Sequence, residues 1–201
     1  MNPIASTPLQ TFALAALLAA SLVSHAQTSS SDFSGEPDKS MAAANESFLK
    51  GDMKKAGNDI GKASRYVKKE AKHVAKDAKS GVAKAGAELD KLGKSVKAGT
   101  VKSDDELKKT FAKVDHALAS AWHQTAAESQ KAGKDAGAAL KKAGAALEGA
   151  AKWSGNTLQA GAQASVDAIK KAGKGVQTSA EQVGKWFQGI GDGIEDLGQK
   201  L

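Results

Sequence analysis

One apolar stripe constrains this chain more than any other feature. Met53, Ala56, Ile60, Ala63, Val67, Ala71, Val74, Ala78, Val82, Ala85, Leu89, Leu92 and Val96 are thirteen apolar residues over 43 positions. Their mean period of about 3.6 is the α-helical repeat. Lys54, Lys55, Asp59, Lys62, Arg65, Lys68, Lys69, Lys72, Lys76 and Lys79 lie between them. The pattern predicts one amphipathic helix over 53–96 with a Lys-rich back, roughly 65 Å long at 1.5 Å per residue. Large residues (Met53, Ile60, Val67, Val74, Val82, Leu89) alternate with alanines, a seam that lets a partner helix come close. No helix that long buries its stripe alone. The partner is the same chain, another protein or a lipid surface.

Composition sharpens this picture. Apolar residues make up 41% of the 201, but aromatics only 4%, so a core built here is alanine-rich and thin. There are 21 glycines, and each one inside a helix costs about 1 kcal/mol relative to alanine. With no cysteine, disulfides, thiolate metal sites and cysteine nucleophiles are excluded. The net charge of +7 is uneven: residues 52–98 hold thirteen basic and six acidic side chains. Arg65 is the lone arginine. Lysine is a hydrated point charge, poor at bidentate recognition. That favours a solvated face or diffuse attraction to anions over sequence-specific nucleic-acid reading.

Residues 1–26 read as a secretory signal. An apolar core from Phe12 to Val23 precedes Ser24-His25-Ala26, which puts small residues at −3 and −1 before Gln27. No Lys or Arg stands in the first eleven residues, and the core is too short to span a bilayer. Cleavage after Ala26 implies a periplasmic or secreted protein; the rival is an uncleaved anchor. Residues 27–38 are a Ser-rich linker with Gly35 and Pro37.

A short helix is predicted to about Lys50, with Met41, Ala44, Phe48 and Leu49 apolar, broken by Gly51-Asp52. Gly99 stands where a left-handed cap would end the long helix. Ser103-Asp104-Asp105-Glu106 then forms a capping box, and Leu107, Phe111, Val114, Leu118 and Ala121 make the next stripe beside Trp122. A further helix carries Ala136, Leu140, Ala143, Leu147, Ala150, Leu158, Ala162, Ile169 and Ala172. Shifted by eighty residues it overlays the long one: Ala56-Gly57, Ile60, Ala63 and Val67 against Ala136-Gly137, Leu140, Ala143 and Leu147. That correspondence suggests a duplicated helical hairpin. Thr178-Ser179-Ala180-Glu181 opens a last amphipathic helix with Val183, Trp186, Phe187, Ile190, Ile194, Leu197 and Leu201 on one face.

The run Ala44-Asn45-Glu46-Ser47-Phe48-Leu49-Lys50-Gly51-Asp52-Met53-Lys54-Lys55-Ala56 resembles the helix–Gly-Asp–helix turn of tetratricopeptide-like hairpins. It is also similar to segments of small periplasmic all-helical stress proteins such as the YfdX family. Residues 52–175 resemble, in their Lys/Ala/Gly-rich amphipathic composition, late-embryogenesis-abundant and exchangeable apolipoprotein-type proteins. These resemblances imply an envelope stress role, or helices that open onto lipid or order on drying.

Catalytic chemistry finds little to stand on. There is no Gly-x-Ser-x-Gly elbow, phosphate loop or dinucleotide fingerprint, and the Gly-rich runs follow no predicted strand. His116 and His123 are seven apart, about 10 Å along a helix axis, too far to share a metal unaided. His73 lies near the edge of the long stripe. Asp104/Asp105 and Glu195/Asp196 suit helix ends. The expectation is no enzyme, no metal and no cofactor.

The predicted fold is all-α: an elongated antiparallel bundle with hairpins at 39–98 and 103–176 and an amphipathic helix at 178–201. Its core stripe is Ile60, Val67, Val74, Val82, Leu89, Leu92, Leu140 and Leu147. Trp186, Phe187, Ile190, Ile194 and Leu197 are the candidates for facing a partner or lipid. Residues 178–201 carry two lysines and four acids, so anionic headgroups would repel them and a groove of the Lys-rich helices would suit them better. The expected function is an exported, non-enzymatic interaction or stress protein, chaperone-like, acting on a protein partner or unfolded chains. The alternatives are a peripheral protein on an anionic membrane and a desiccation protectant; helix faces of this kind also permit homo-oligomers.

Overall fold

Helical periodicity extends through nearly all of the described chain, and the computed structural model, which describes residues 35–172 and 179–201, is helical throughout. The predicted signal segment at 1–26 lies outside the described residues, as do 27–34 of the predicted linker and the ends of two predicted elements at 173–178. Seven α-helices and no strand occur among the described residues. They are α1 (Asp38–Leu49), α2 (Met53–Glu70), α3 (Lys79–Lys97), α4 (Asp104–Lys131), α5 (Gly137–Ser154), α6 (Ala160–Ala172) and α7 (Ala180–Gly198). None of them is long and apolar enough to cross a membrane.

The predicted 65 Å helix is not formed. Its stripe folds back on itself at 71–78, through a turn and a single 3₁₀ turn at Lys76–Ala78, so α2 and α3 make an antiparallel hairpin. No glycine or proline marks this break. The helix tightens instead, with Lys72 N donating to Lys69 O and His73 N to Glu70 O. Ala75 then takes an extended backbone, and its N–H donates to Thr125 Oγ1 on α4 at 2.8 Å. Val74, Ala75 and Ala78 are buried at the turn. Tertiary packing overrides local propensity here, as it can wherever a bent segment buries more than a straight one.

Glycine and serine mark the close approaches of α2 and α3. A Cβ on Gly57 would lie 2.7 Å from the carbonyl oxygen of Gly93, and one on Gly93 3.1 Å from that of Gly57. Half a hairpin away, Ser64 Oγ donates to Gly86 O at 2.8 Å. Along each helix these small residues are seven apart, on the facing side. Lys68 and Asp90 pair across the outside of the seam.

The second long helix is also divided. Gly155, at φ 70°, ends α5 in the left-handed conformation, and Asn156 N donates back to Ala151 O. α6 then packs more on α7 than on α5, so the eighty-residue overlay is not matched by equivalent hairpins. Nor do the two predicted rods zip together. The 28-residue α4, the longest described helix, is the hub: α1, α3, α5 and α7 all pack on it. Phe111, Leu107 and Val114 of its stripe are fully buried, alongside Met41, Ile60, Leu89, Leu140, Leu147 and Ile190 from the surrounding helices.

Helix ends follow local chemistry with small shifts. Gly51 and Gly99 have positive φ, as the stops there require. Asp52 caps α2 by accepting from Lys55 N at 2.9 Å. Ser103 makes no side-chain cap; Glu106 instead accepts from Lys102 N. Ser179 caps α7 by accepting from Gln182 N, one residue later than the predicted box, whose Thr178 lies outside the described residues. Leu49, placed on the apolar face of the first helix by the sequence reading, is 65% exposed at the C-terminal end of α1.

Candidate functional site: an acidic cleft between four helices

α4 and α5 run antiparallel through a Gly133 turn, and their facing side chains fall in one register. Phe111 meets Trp153 edge-to-face at 5.1 Å, Asp115 meets Gly149, and Trp122 meets Lys142. The middle pair is chemically odd. Asp115 occupies the apolar stripe of α4, between Phe111 and Leu118, and is 0% exposed. It fits only because residue 149 has no side chain: a Cβ there would lie 2.5 Å from Asp115 Oδ2 and 3.0 Å from Asp38 Oδ1.

Asp38, in the first turn of α1, comes to the same spot from the other side. Trp153 Nε1 donates to its Oδ1 at 3.1 Å. Neither carboxylate oxygen of Asp115 receives a hydrogen bond from the described chain. Burial pushes the Asp115 carboxyl well above the usual range, and the neighbouring Asp38 charge adds to the effect. Asp38 is raised too, by burial against the lowering effect of Trp153. Asp115 can therefore satisfy itself only as an acid, its hydroxyl donating to Asp38. A buried carboxyl pair sharing a proton is the state this geometry favours over two separate carboxylates.

Toward solvent the pair opens into a cleft of about 70 Å³, lined by Glu36, Pro37, Asp38, Tyr66, Glu70, Asp115, Leu118, Trp122 and Lys142 among others. Lys142 Nζ lies 2.9 Å from Glu70 Oε2 and 3.9 Å from the centroid of Trp122. Burial, then the Glu70 and Glu36 charges, raises the Tyr66 phenol and keeps it a proton donor. Among the described residues no group of three or more His, Asp or Glu side chains is placed to hold a metal ion.

The residues singled out by sequence fall elsewhere. Ile60, Val67, Val74, Val82, Leu89, Leu92, Leu140 and Leu147 are all buried. Trp186, Ile190 and Leu197 are buried in the bundle, while Phe187 and Ile194 sit half-buried at its rim. α7 docks on α4, α5 and α6, not in the Lys-rich hairpin of α2 and α3, and its lysines Lys185 and Lys200 pair with its own Glu181 and Asp196. His116 and His123 each bond a backbone carbonyl of α7, and His73 is exposed at the α2–α3 turn. The lysines of α2 and α3 face solvent. The acidic pair was missed, although a signal existed: Asp115 interrupts the apolar face of α4 at helical spacing. No family model matches this chain, nor does any curated protein or solved structure.

Proposed function

We propose that the protein is an exported, non-enzymatic interaction protein of the cell envelope, working as a folded helical bundle in a chaperone-like, stress-related role. The observation that carries this reading is the state of α7. Its apolar face is committed to the bundle through Trp186, Ile190 and Leu197, while Phe187 and Ile194 remain at a reachable rim. A chain that works by spreading on lipid, or by ordering only on drying, has less reason to hold such a face in so specific a seat. Release of α7, with α6 beside it, would uncover an apolar groove on α4 and α5 suited to an unfolded chain.

The test is light scattering from thermally unfolded citrate synthase, with the full chain added at stoichiometric amounts. Suppressed aggregation is expected, and more suppression when His116→Ala and His123→Ala loosen α7. Circular dichroism separates the other readings. Low helicity that rises only with anionic vesicles would favour a peripheral lipid-binding protein. Low helicity that rises only on drying would favour a desiccation protectant.

A further inference from the structure

We propose that the cleft between α1, α2, α4 and α5 binds a small aliphatic primary ammonium ion. This goes beyond the chaperone-like reading and stands or falls separately from it. The first ground is the buried acid: Asp115 is fully enclosed, lines the cleft and has no hydrogen-bond donor for either oxygen. The second is proximity, since Asp38 and Asp115 line the same cleft, and Asp115 Oδ2 and Asp38 Oδ1 both lie close to Gly149. An ammonium carries three donors and could serve both carboxylates, where a shared proton serves one bond.

The protein itself shows the kind of recognition required. Lys142 places its ammonium 3.9 Å from the Trp122 ring centroid and 2.9 Å from Glu70. An aromatic face with a carboxylate beside it is the usual setting for such a cation. Glu70 is thereby matched; at the other end Asp38 has the Trp153 N–H and the Lys152 charge nearby, while the Asp115 oxygens have no donor. The volume, about 70 Å³, exceeds the roughly 10–15 Å³ that one water occupies on this measure. It suits a short alkylammonium better than a large ligand.

Binding would displace the proton held between the two acids and release it to solvent. Affinity should therefore rise with pH over the range in which the pair loses that proton. The charged and titratable groups facing it are Glu36 just before α1, Asp38 in its first turn, Tyr66 and Glu70 on α2, and Lys142 and Lys152 on α5.

The experiment follows the three indole N–H signals of the ¹⁵N-labelled full chain during titration with n-butylammonium chloride. The Trp122 and Trp153 signals should move while Trp186 stays still. Asp115→Asn should weaken binding about tenfold or more, as expected when a buried charged acceptor is lost; its unmoved Trp186 signal reports that the fold is kept. Lys142→Met, which removes the competing charge, should tighten binding. Equal affinity in Asp115→Asn, equal shifts with neutral n-butanol, saturation of the same signals by calcium chloride at lower concentration, or no movement beyond a sodium chloride control would each overturn the proposal.

Discussion

The imidazole Nε2 of His116 lies 2.8 Å from the carbonyl oxygen of Ile194, seventy-eight residues along the chain. One helical repeat away, His123 Nε2 lies 3.0 Å from Phe187 O, and its ring stacks on Phe187 at 4.0 Å. Both imidazoles must carry the Nε2 proton to donate. They reach the backbone of α7 because Gly198 and Gly191 leave the way open; a Cβ there would lie 2.9 Å and 3.2 Å from the rings. A hydrogen bond of this kind contributes about 1 kcal/mol net, and ring stacking about 0.5–1.5 kcal/mol. His123→Ala should therefore destabilise by about 1–2 kcal/mol in urea unfolding, and a cycle with Phe187→Ala should show coupling of the same sign. A purely additive cycle would mean that the stacking is ornamental.

Gly57 and Gly61 lie one turn apart on α2 and should respond oppositely to the same change. At Gly61 a Cβ meets only an arginine terminus at 3.7 Å, so Gly61→Ala gains helix propensity, about 0.5–1 kcal/mol. At Gly57 the same methyl runs into the Gly93 carbonyl and the Lys97 stem. The hairpin must open, at a cost of about 1–3 kcal/mol that exceeds the propensity gain. Thermal melts of the two variants should move in opposite directions; two upward shifts would show that the α2–α3 contact is looser than described.

The all-α class was legible because the 3.6-residue period runs almost without interruption. The same regularity hid the topology. The period continues in phase through the turn at 71–78, where Val74 and Ala78 stay buried, so an unbroken helix and a hairpin write the same stripe. What decides between them is long-range: Thr125 of α4 capturing the Ala75 N–H, and Gly57 finding Gly93. Glycines read as weak points in a helix prove to be its contact surface. The acid pair was hidden for a related reason. Asp38 and Asp115 are far apart in sequence, and nothing local indicates that Gly149 brings them to one place.

The hairpin is open to a direct ruler. Spin labels at Lys54 and Lys97, both exposed, would lie roughly 65 Å apart on a continuous helix. In the folded hairpin they stand on neighbouring helix ends, with the Lys97 stem beside Gly57. Helices packed at about 8–10 Å put such labels within roughly 20 Å after allowing for their tethers. Dipolar spectroscopy should return the short distance, and a population near the long one would restore the straight rod.

Stability should fall as pH rises above about 4, and the reason is the Asp115 pair. A carboxyl whose folded pKa is raised holds its proton in the native state over a range where the unfolded chain, at about 3.9, has lost it. Its contribution is complete below the unfolded value and is lost as pH climbs toward the folded one. Asp38 acts in the same sense. Asp90, where burial is outweighed by the Lys68 partner, and Asp104, held low by Lys108, act in the opposite sense, but both are partly exposed and their carboxyls lie below the usual range. Above about pH 5 those two add little further slope, and the contribution of the buried pair falls as pH rises. Asp115→Asn keeps the shape of the protonated acid and its donor toward Asp38 while removing the titration. Its melting temperature should exceed the native value at pH 8, match it near pH 4, and vary little between. Parallel pH profiles for the two proteins would place the shared proton elsewhere.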